Sequence, residues 1–197
     1  MSVKIIEWTS LTTLGLAGGL VAGLLVGMPL GQVVNAMIVT AVVTGLVGAV
    51  LGTFQAISLR RLLPKPLWWI LATIVGLGVG LGAAVAVVEQ IGILISGERP
   101  HIVQLSTPMR ALSFVAVGLV AGTLLGGAQS LVFRRQTPRI KNWVPATAVG
   151  LAVAFSVSSL AVDLSGVPFA SAGGVILFLL LSGISFGAVT NWPLRRV

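Results

Sequence analysis

Gln55 and Gln129 are the side chains of this sequence best placed to do chemistry. Each stands five residues before an arginine pair, Arg60-Arg61 and Arg134-Arg135, so on a helix each amide lies roughly 7–8 Å inside a basic end. At that depth an amide can ligate the metal of a chlorophyll-type pigment, narrow a pore, or hydrogen-bond a neighbouring helix or a loop carbonyl near Thr73 or Thr147. The last role is the plainest, because hydrogen bonds between membrane helices contribute about 0.6–2 kcal/mol. Glu89 and Asp163 form a second matched pair, each three residues before a glycine, Gly92 or Gly166. A carboxylate there could handle protons or cations, or pair with Arg110 at a solvated helix end. His101 is the sole histidine and cysteine is absent, so neither a metal site nor thiolate chemistry is indicated. No nucleophile and base stand at motif spacing and no phosphate loop is present; the expectation is a protein that is not an enzyme.

The elements that hold these residues are repeated. Residues 48–92 laid on 122–166 without a gap are identical at 16 of 45 positions, and the rare Gln, Trp and Arg-Arg fall in one register. Within each copy a glycine-rich A segment ends in the arginine pair and a B segment starts at a tryptophan. A third copy is split between 171–197 and 1–31. Gly183, Gly187 and Arg195-Arg196 repeat the spacing of Gly48, Gly52 and Arg60-Arg61, while Trp8, Thr12, Gly15 and Gly31 match Trp69, Thr73, Gly76 and Gly92 at an offset of 61. Thr190 stands where the other copies have glutamine, and Met28 where they have a carboxylate.

A chain that is 56% hydrophobic and 8% charged, with mean hydropathy +1.09, exceeds what one water-soluble core can bury. Six charge-poor stretches are each long enough to cross a hydrocarbon layer: about 10–28, 36–58, 67–88, 110–132, 144–162 and 171–191. The first lacks a convincing cleavage site and is expected to be a retained span rather than a signal peptide. If the spans alternate, ten of the twelve basic residues share one side, which places both termini in the cytoplasm. The formal charge of +8 then reflects topology and attraction to anionic lipid heads rather than nucleic-acid binding. All five tryptophans, Trp8, Trp68, Trp69, Trp143 and Trp192, adjoin the basic clusters and are expected to anchor in the headgroup layer.

These features define an all-α integral membrane protein of six transmembrane helices, one domain over 1–197, built as three parallel two-helix repeats in a pseudo-threefold bundle with the sixth span beside the first. Gly48/Gly52, Gly122/Gly126 and Gly183/Gly187 stack four residues apart on one helix face and should admit a neighbouring backbone. Gly76, Gly78, Gly80 and Gly82 should bring other neighbours close to the third span. Arg60, Arg61, Arg134, Arg135, Arg195 and Arg196 are orientation signals that could also grip anionic lipid or an acidic partner surface.

The glycine-rich helix ending in Gln-x4-Arg-Arg, followed by the Trp-x3-Thr-x2-Gly helix, resembles a loose group of uncharacterised multispan proteins of photosynthetic and related bacteria. The resemblance covers nearly the whole chain. It implies a place in a bacterial cytoplasmic or photosynthetic membrane and company with a bioenergetic complex; it implies no activity and no catalytic residues. The leading expectation is a noncatalytic accessory subunit of a larger membrane assembly. The alternatives are a small transporter or channel along the pseudo-threefold axis, ringed by Gln55, Gln129 and Thr190, and a protein that binds a pigment at Gln55 and Gln129 or binds lipid.

Overall fold

Apolar sequence in a medium without water leaves the backbone only its own hydrogen bonds, and these residues form helices throughout. The computed structural model describes residues 5–96, 105–136, 142–168 and 171–194. Among them are six helices: α1 (Ile5–Leu30), α2 (Ala36–Ser58), α3 (Pro66–Ser96), α4 (Thr107–Gln136), α5 (Trp143–Ser165) and α6 (Ala172–Leu194). All six are long and apolar enough to cross a membrane. Several outrun the apolar stretches read from sequence: α3, at 31 residues, spans about 46 Å. Helical hydrogen bonding does not stop where the hydrocarbon does. Local chemistry sets the ends. Asn35 Oδ1 accepts from Ile38 N at the start of α2, proline stands at the first position of α3, and Gly166 closes α5 at φ 70°, a backbone open to glycine.

Each helix packs against the one before and the one after, and α6 returns to α1; no other helix pair is in backbone contact among the described residues. The six therefore form a closed ring, and side chains that meet between non-neighbouring helices do so through its middle.

Glycines set how closely the ring closes. A Cβ added to Gly48 would lie 2.8 Å from Ile74 Cα, one on Gly122 2.6 Å from Ala148 Cα, and one on Gly183 2.7 Å from Thr13 Cα. One turn on, Gly52, Gly126 and Gly187 meet Ile70, Val144 and Thr9 in the same way. Partner positions 13, 74 and 148 differ by 61 and 74, the offsets that align the sequence copies. The alternate seams use the B-segment glycines, Gly15 against Leu51, Gly76 against Leu125 and Gly150 against Phe186. Gly76 and Gly80 press on α4, whereas among the described residues a Cβ on Gly82 would meet no other helix within 4 Å and one on Gly78 only the Thr44 hydroxyl at 4.0 Å. Two of the four glycines of this span thus seat a helix and two do not.

The middle is filled. Leu51, Leu125 and Phe186 from the A helices join Leu16, Leu77 and Leu151 from the B helices in the main core, continued by Val47, Ala121, Ala84 and Val88. Farther from the arginines, Phe114, Phe155 and Phe178 of α4, α5 and α6 meet with ring centroids 5.3–6.3 Å apart. Large side chains such as Leu14, Leu25, Leu119, Leu131, Leu180 and Ile184 point outward instead.

Two outcomes follow from this packing. Gly122→Leu should cost about 1–3 kcal/mol by overpacking, while Gly82→Leu should leave thermal unfolding in detergent unchanged. With Thr9 Cβ 3.3 Å from the Cβ that residue 187 would carry, the double variant Thr9→Cys/Gly187→Cys should oxidise to an intramolecular disulfide. A Thr9→Cys/Leu124→Cys control should not, and equal crosslinking in both would refute the α6–α1 closure.

Candidate functional site

The polar side chains of the spans converge at the arginine-bearing end. Trp8, Trp69 and Trp143 start the inward faces of α1, α3 and α5, and Thr12, Thr73 and Thr147 follow one turn later; all six are buried. Gln55, Gln129 and Thr190 come from α2, α4 and α6 and are fully buried as well. These nine residues make one polar stratum between two apolar ones. Below it lie Leu59, Leu63, Phe133 and Leu194 with the tryptophan rings, and above it the leucine-rich main core.

The hydrogen bonds run across the ring. Trp8 Nε1 donates to Thr190 Oγ1 at 3.0 Å, and Trp143 Nε1 donates to Gln129 Oε1 at 3.0 Å. Gln129 Nε2 donates to Thr73 Oγ1 at 2.9 Å and to Gln55 Oε1 at 3.3 Å, linking α4 to α3 and, through the middle, to α2. The hydroxyls of Thr73, Thr147 and Thr190 donate to carbonyls four residues back, at 2.7–2.9 Å. The indoles fill the remaining space: Trp143 lies edge-on to Trp8 and Trp69, at 6.0 and 5.6 Å between centroids, and Phe133 packs on both Trp69 and Trp143.

Three tryptophans therefore depart from the expected headgroup anchoring. Trp8, Trp69 and Trp143 are at most 2% exposed, whereas Trp68 and Trp192 are about half exposed. The cause is rotation about the helix axis: Trp68 and its neighbour Trp69 have the same depth and point about 100° apart. A signal for this was present, since Trp, Thr and Gly at i, i+4 and i+7 share one helix face.

The two glutamines meet each other, and Gln129 bonds the neighbouring helix α3 at the Thr73 hydroxyl rather than at a loop carbonyl. Thr190 is held by Trp8 rather than by an amide. Gly48, Gly52, Gly122, Gly126, Gly183 and Gly187 lie in the helix seams, and Gly52 and Gly126 border the polar stratum at the Thr73 and Thr147 side chains. Arg60, Arg61 and Arg134 are exposed at the ends of α2 and α4, and Arg135 follows in α4. Arg195, Arg196 and His101 lie outside the described residues. At the opposite end Asp163 pairs with Arg110, both mostly buried, and Arg110 also donates to the Leu105 carbonyl. Glu89, its counterpart in the first copy, is half-buried. No group of three metal-ligating side chains occurs among the described residues.

Six apolar helices closed around a buried polar stratum define a multi-pass helical membrane protein. No family model, no curated protein and no solved structure matches the chain.

Two measurements check the stratum. Gln129→Leu leaves the Trp143 indole N–H without its acceptor and should lower stability to unfolding by about 1–3 kcal/mol, against little change for Gln90→Leu at an exposed position of α3. A Trp68→Phe/Trp192→Phe variant, retaining only the three buried indoles, should lose most of the fluorescence quenching produced by brominated lipid. Undiminished quenching would put those indoles at the lipid surface.

Proposed function

We propose that the chain is a noncatalytic accessory subunit that docks, through its α2–α3 face, against a larger bioenergetic membrane assembly, a photosynthetic one as the resemblance to proteins of photosynthetic bacteria implies. The observation that carries this reading is the lipid-side strip of small residues Gly45, Gly78 and Gly82 beside Thr40, Ala41 and Thr44. Among the described residues no other helix lies within 4 Å of a Cβ added at Gly45 or Gly82, and Ala41 and Gly82 are exposed. Most other helical glycines seat a helix of the bundle, and Gly127 of α4 is open like Gly45 and Gly82 but stands without a second open glycine beside it. A strip of this kind lets a partner helix approach backbone to backbone, which is what association in lipid requires.

The repeat supports a pseudo-threefold bundle of parallel units, since equivalent glycines meet equivalent partners at all three copies. The side on which ten of the twelve basic residues collect supports cytoplasmic termini in a bacterial inner or photosynthetic membrane, with Arg60, Arg61 and Arg134 free to contact anionic lipid heads. The interior favours docking over transport. Gln55, Gln129 and Thr190 do face inward, as a channel ring would, but tryptophans and Phe133 fill one side of them and leucines the other. The amides that could ligate a pigment metal are engaged with one another and with Trp143 and Thr73.

Purification from the source membrane in mild detergent, with mass spectrometry of copurifying chains and an absorption spectrum of the same fraction, tests the reading. A stoichiometric larger complex is expected, lost in a Gly45→Leu/Gly82→Leu variant that still folds. A solitary, colourless bundle would overturn it, and a pigment band surviving as a monomer would favour cofactor binding instead.

A further inference from the structure

Four buried polar groups have no partner: Thr12 Oγ1, Gln55 Nε2 and Trp69 Nε1 of the stratum, and Ser58 Oγ one turn beyond Gln55. Their residues are at most 9% exposed. Three of them share one seam. Gly15 faces Leu51, Gly19 faces Val47 and Gly23 faces Val43 across α1 and α2. Carried one turn toward the arginines, the same antiparallel register sets Gln55 beside Leu11-Thr12 and Ser58 beside Trp8. At the corresponding α3–α4 seam the equivalent pair, Gln129 Nε2 and Thr73 Oγ1, is bonded at 2.9 Å.

The fourth group belongs to the same place. Trp143 and Trp8 donate to residues 129 and 190, the positions equivalent to 55, and the α2–α3 seam has the register of α4–α5, Gly52 on Ile70 as Gly126 on Val144. The Trp69 indole N–H thus faces Gln55, whose oxygen is turned instead to Gln129. Rotating the Gln55 amide by 180° would turn its oxygen away from Gln129 but set two amide NH₂ groups against each other at 3.3 Å. As the amide stands, the Gln55 Nε2 and Trp69 Nε1 donors have no acceptor and the Thr12 and Ser58 hydroxyls are bonded to neither.

We infer that the arginine-bearing end of the α1–α2 seam is a hydration site, in which water bonds Ser58 and Thr12 and accepts from Gln55 Nε2 and Trp69 Nε1. All four protein groups are neutral and the nearby arginines are exposed, so a buried anion would lack a counter-charge and be costly. Water needs only two to four polar partners. Ser58 is the last residue of α2 and, at 9%, the most exposed of the four.

The test uses the ¹⁵N-labelled full chain in lipid nanodiscs, with the five indole N–H resonances assigned by single Trp→Phe variants. Through-space magnetisation transfer from water should reach Trp69 and leave Trp8 and Trp143 dark, and the Trp69 cross-peak should be lost in Thr12→Val/Ser58→Ala. A Trp69 signal no stronger than those of Trp8 and Trp143 would overturn the proposal. So would a cross-peak unchanged in a double variant whose other indole shifts are native. The comparison within the unaltered protein stands even where the variant fails to fold.

Discussion

Helices in lipid gain almost nothing by hiding apolar surface from one another, because the hydrocarbon is as apolar as the neighbour. What remains is dispersion, which falls away within an ångström of separation. The ring of six helices depends on that constraint. Five of its seams are lined by glycines whose missing side chains let the opposite backbone come in, at Gly48, Gly122 and Gly183 on one set and Gly15 and Gly76 on the other, and at the sixth Gly150 makes room for the Phe186 ring and the Thr190 methyl. Volume removed at the seams is compensated in the middle, where leucines, phenylalanines and three indoles reach across between helices whose backbones do not touch.

The polar stratum does a different job. Apolar layers alone would tolerate sliding of one helix past another, since Leu against Leu is much the same a turn away. A Trp143–Gln129–Thr73 chain of hydrogen bonds is not, because a slip leaves donors buried without acceptors at about 1–3 kcal/mol each. The near-equivalence of the copies also explains where the network falls short. Thr190 offers a hydroxyl that both donates and accepts, while two amides meeting in the middle of a ring of N–H donors cannot both serve their own tryptophan.

Much of this was legible in the sequence, for reasons particular residues make plain. The pairs Gly48/Gly52, Gly122/Gly126 and Gly183/Gly187 lie where a backbone approaches, since four-residue spacing stacks small residues on one face whatever the partner. The split third copy implied that α6 lies beside α1, and the ring closes there. The ion pair of Asp163 with Arg110 was among the readings of that carboxylate. The tryptophans were misjudged because nearness to basic residues reports depth, and depth is shared by lipid-facing and inward-facing positions alike. Trp68 and Trp69 are adjacent in sequence and opposite in environment.

Depth, repetition and class are properties of the chain in one dimension. Charge-free length, the placement of arginines and the recurrence of Gly, Gln and Trp determined them before any helix was packed. Direction around each helix, and the pairing of Trp143 with Gln129 and of Gln55 with Gln129 rather than with Trp69, were decided only by the tertiary structure. In water an apolar stripe would have marked the inward face; here lipid and interior are equally apolar, so shape and hydrogen bonding across the closed ring alone distinguish them.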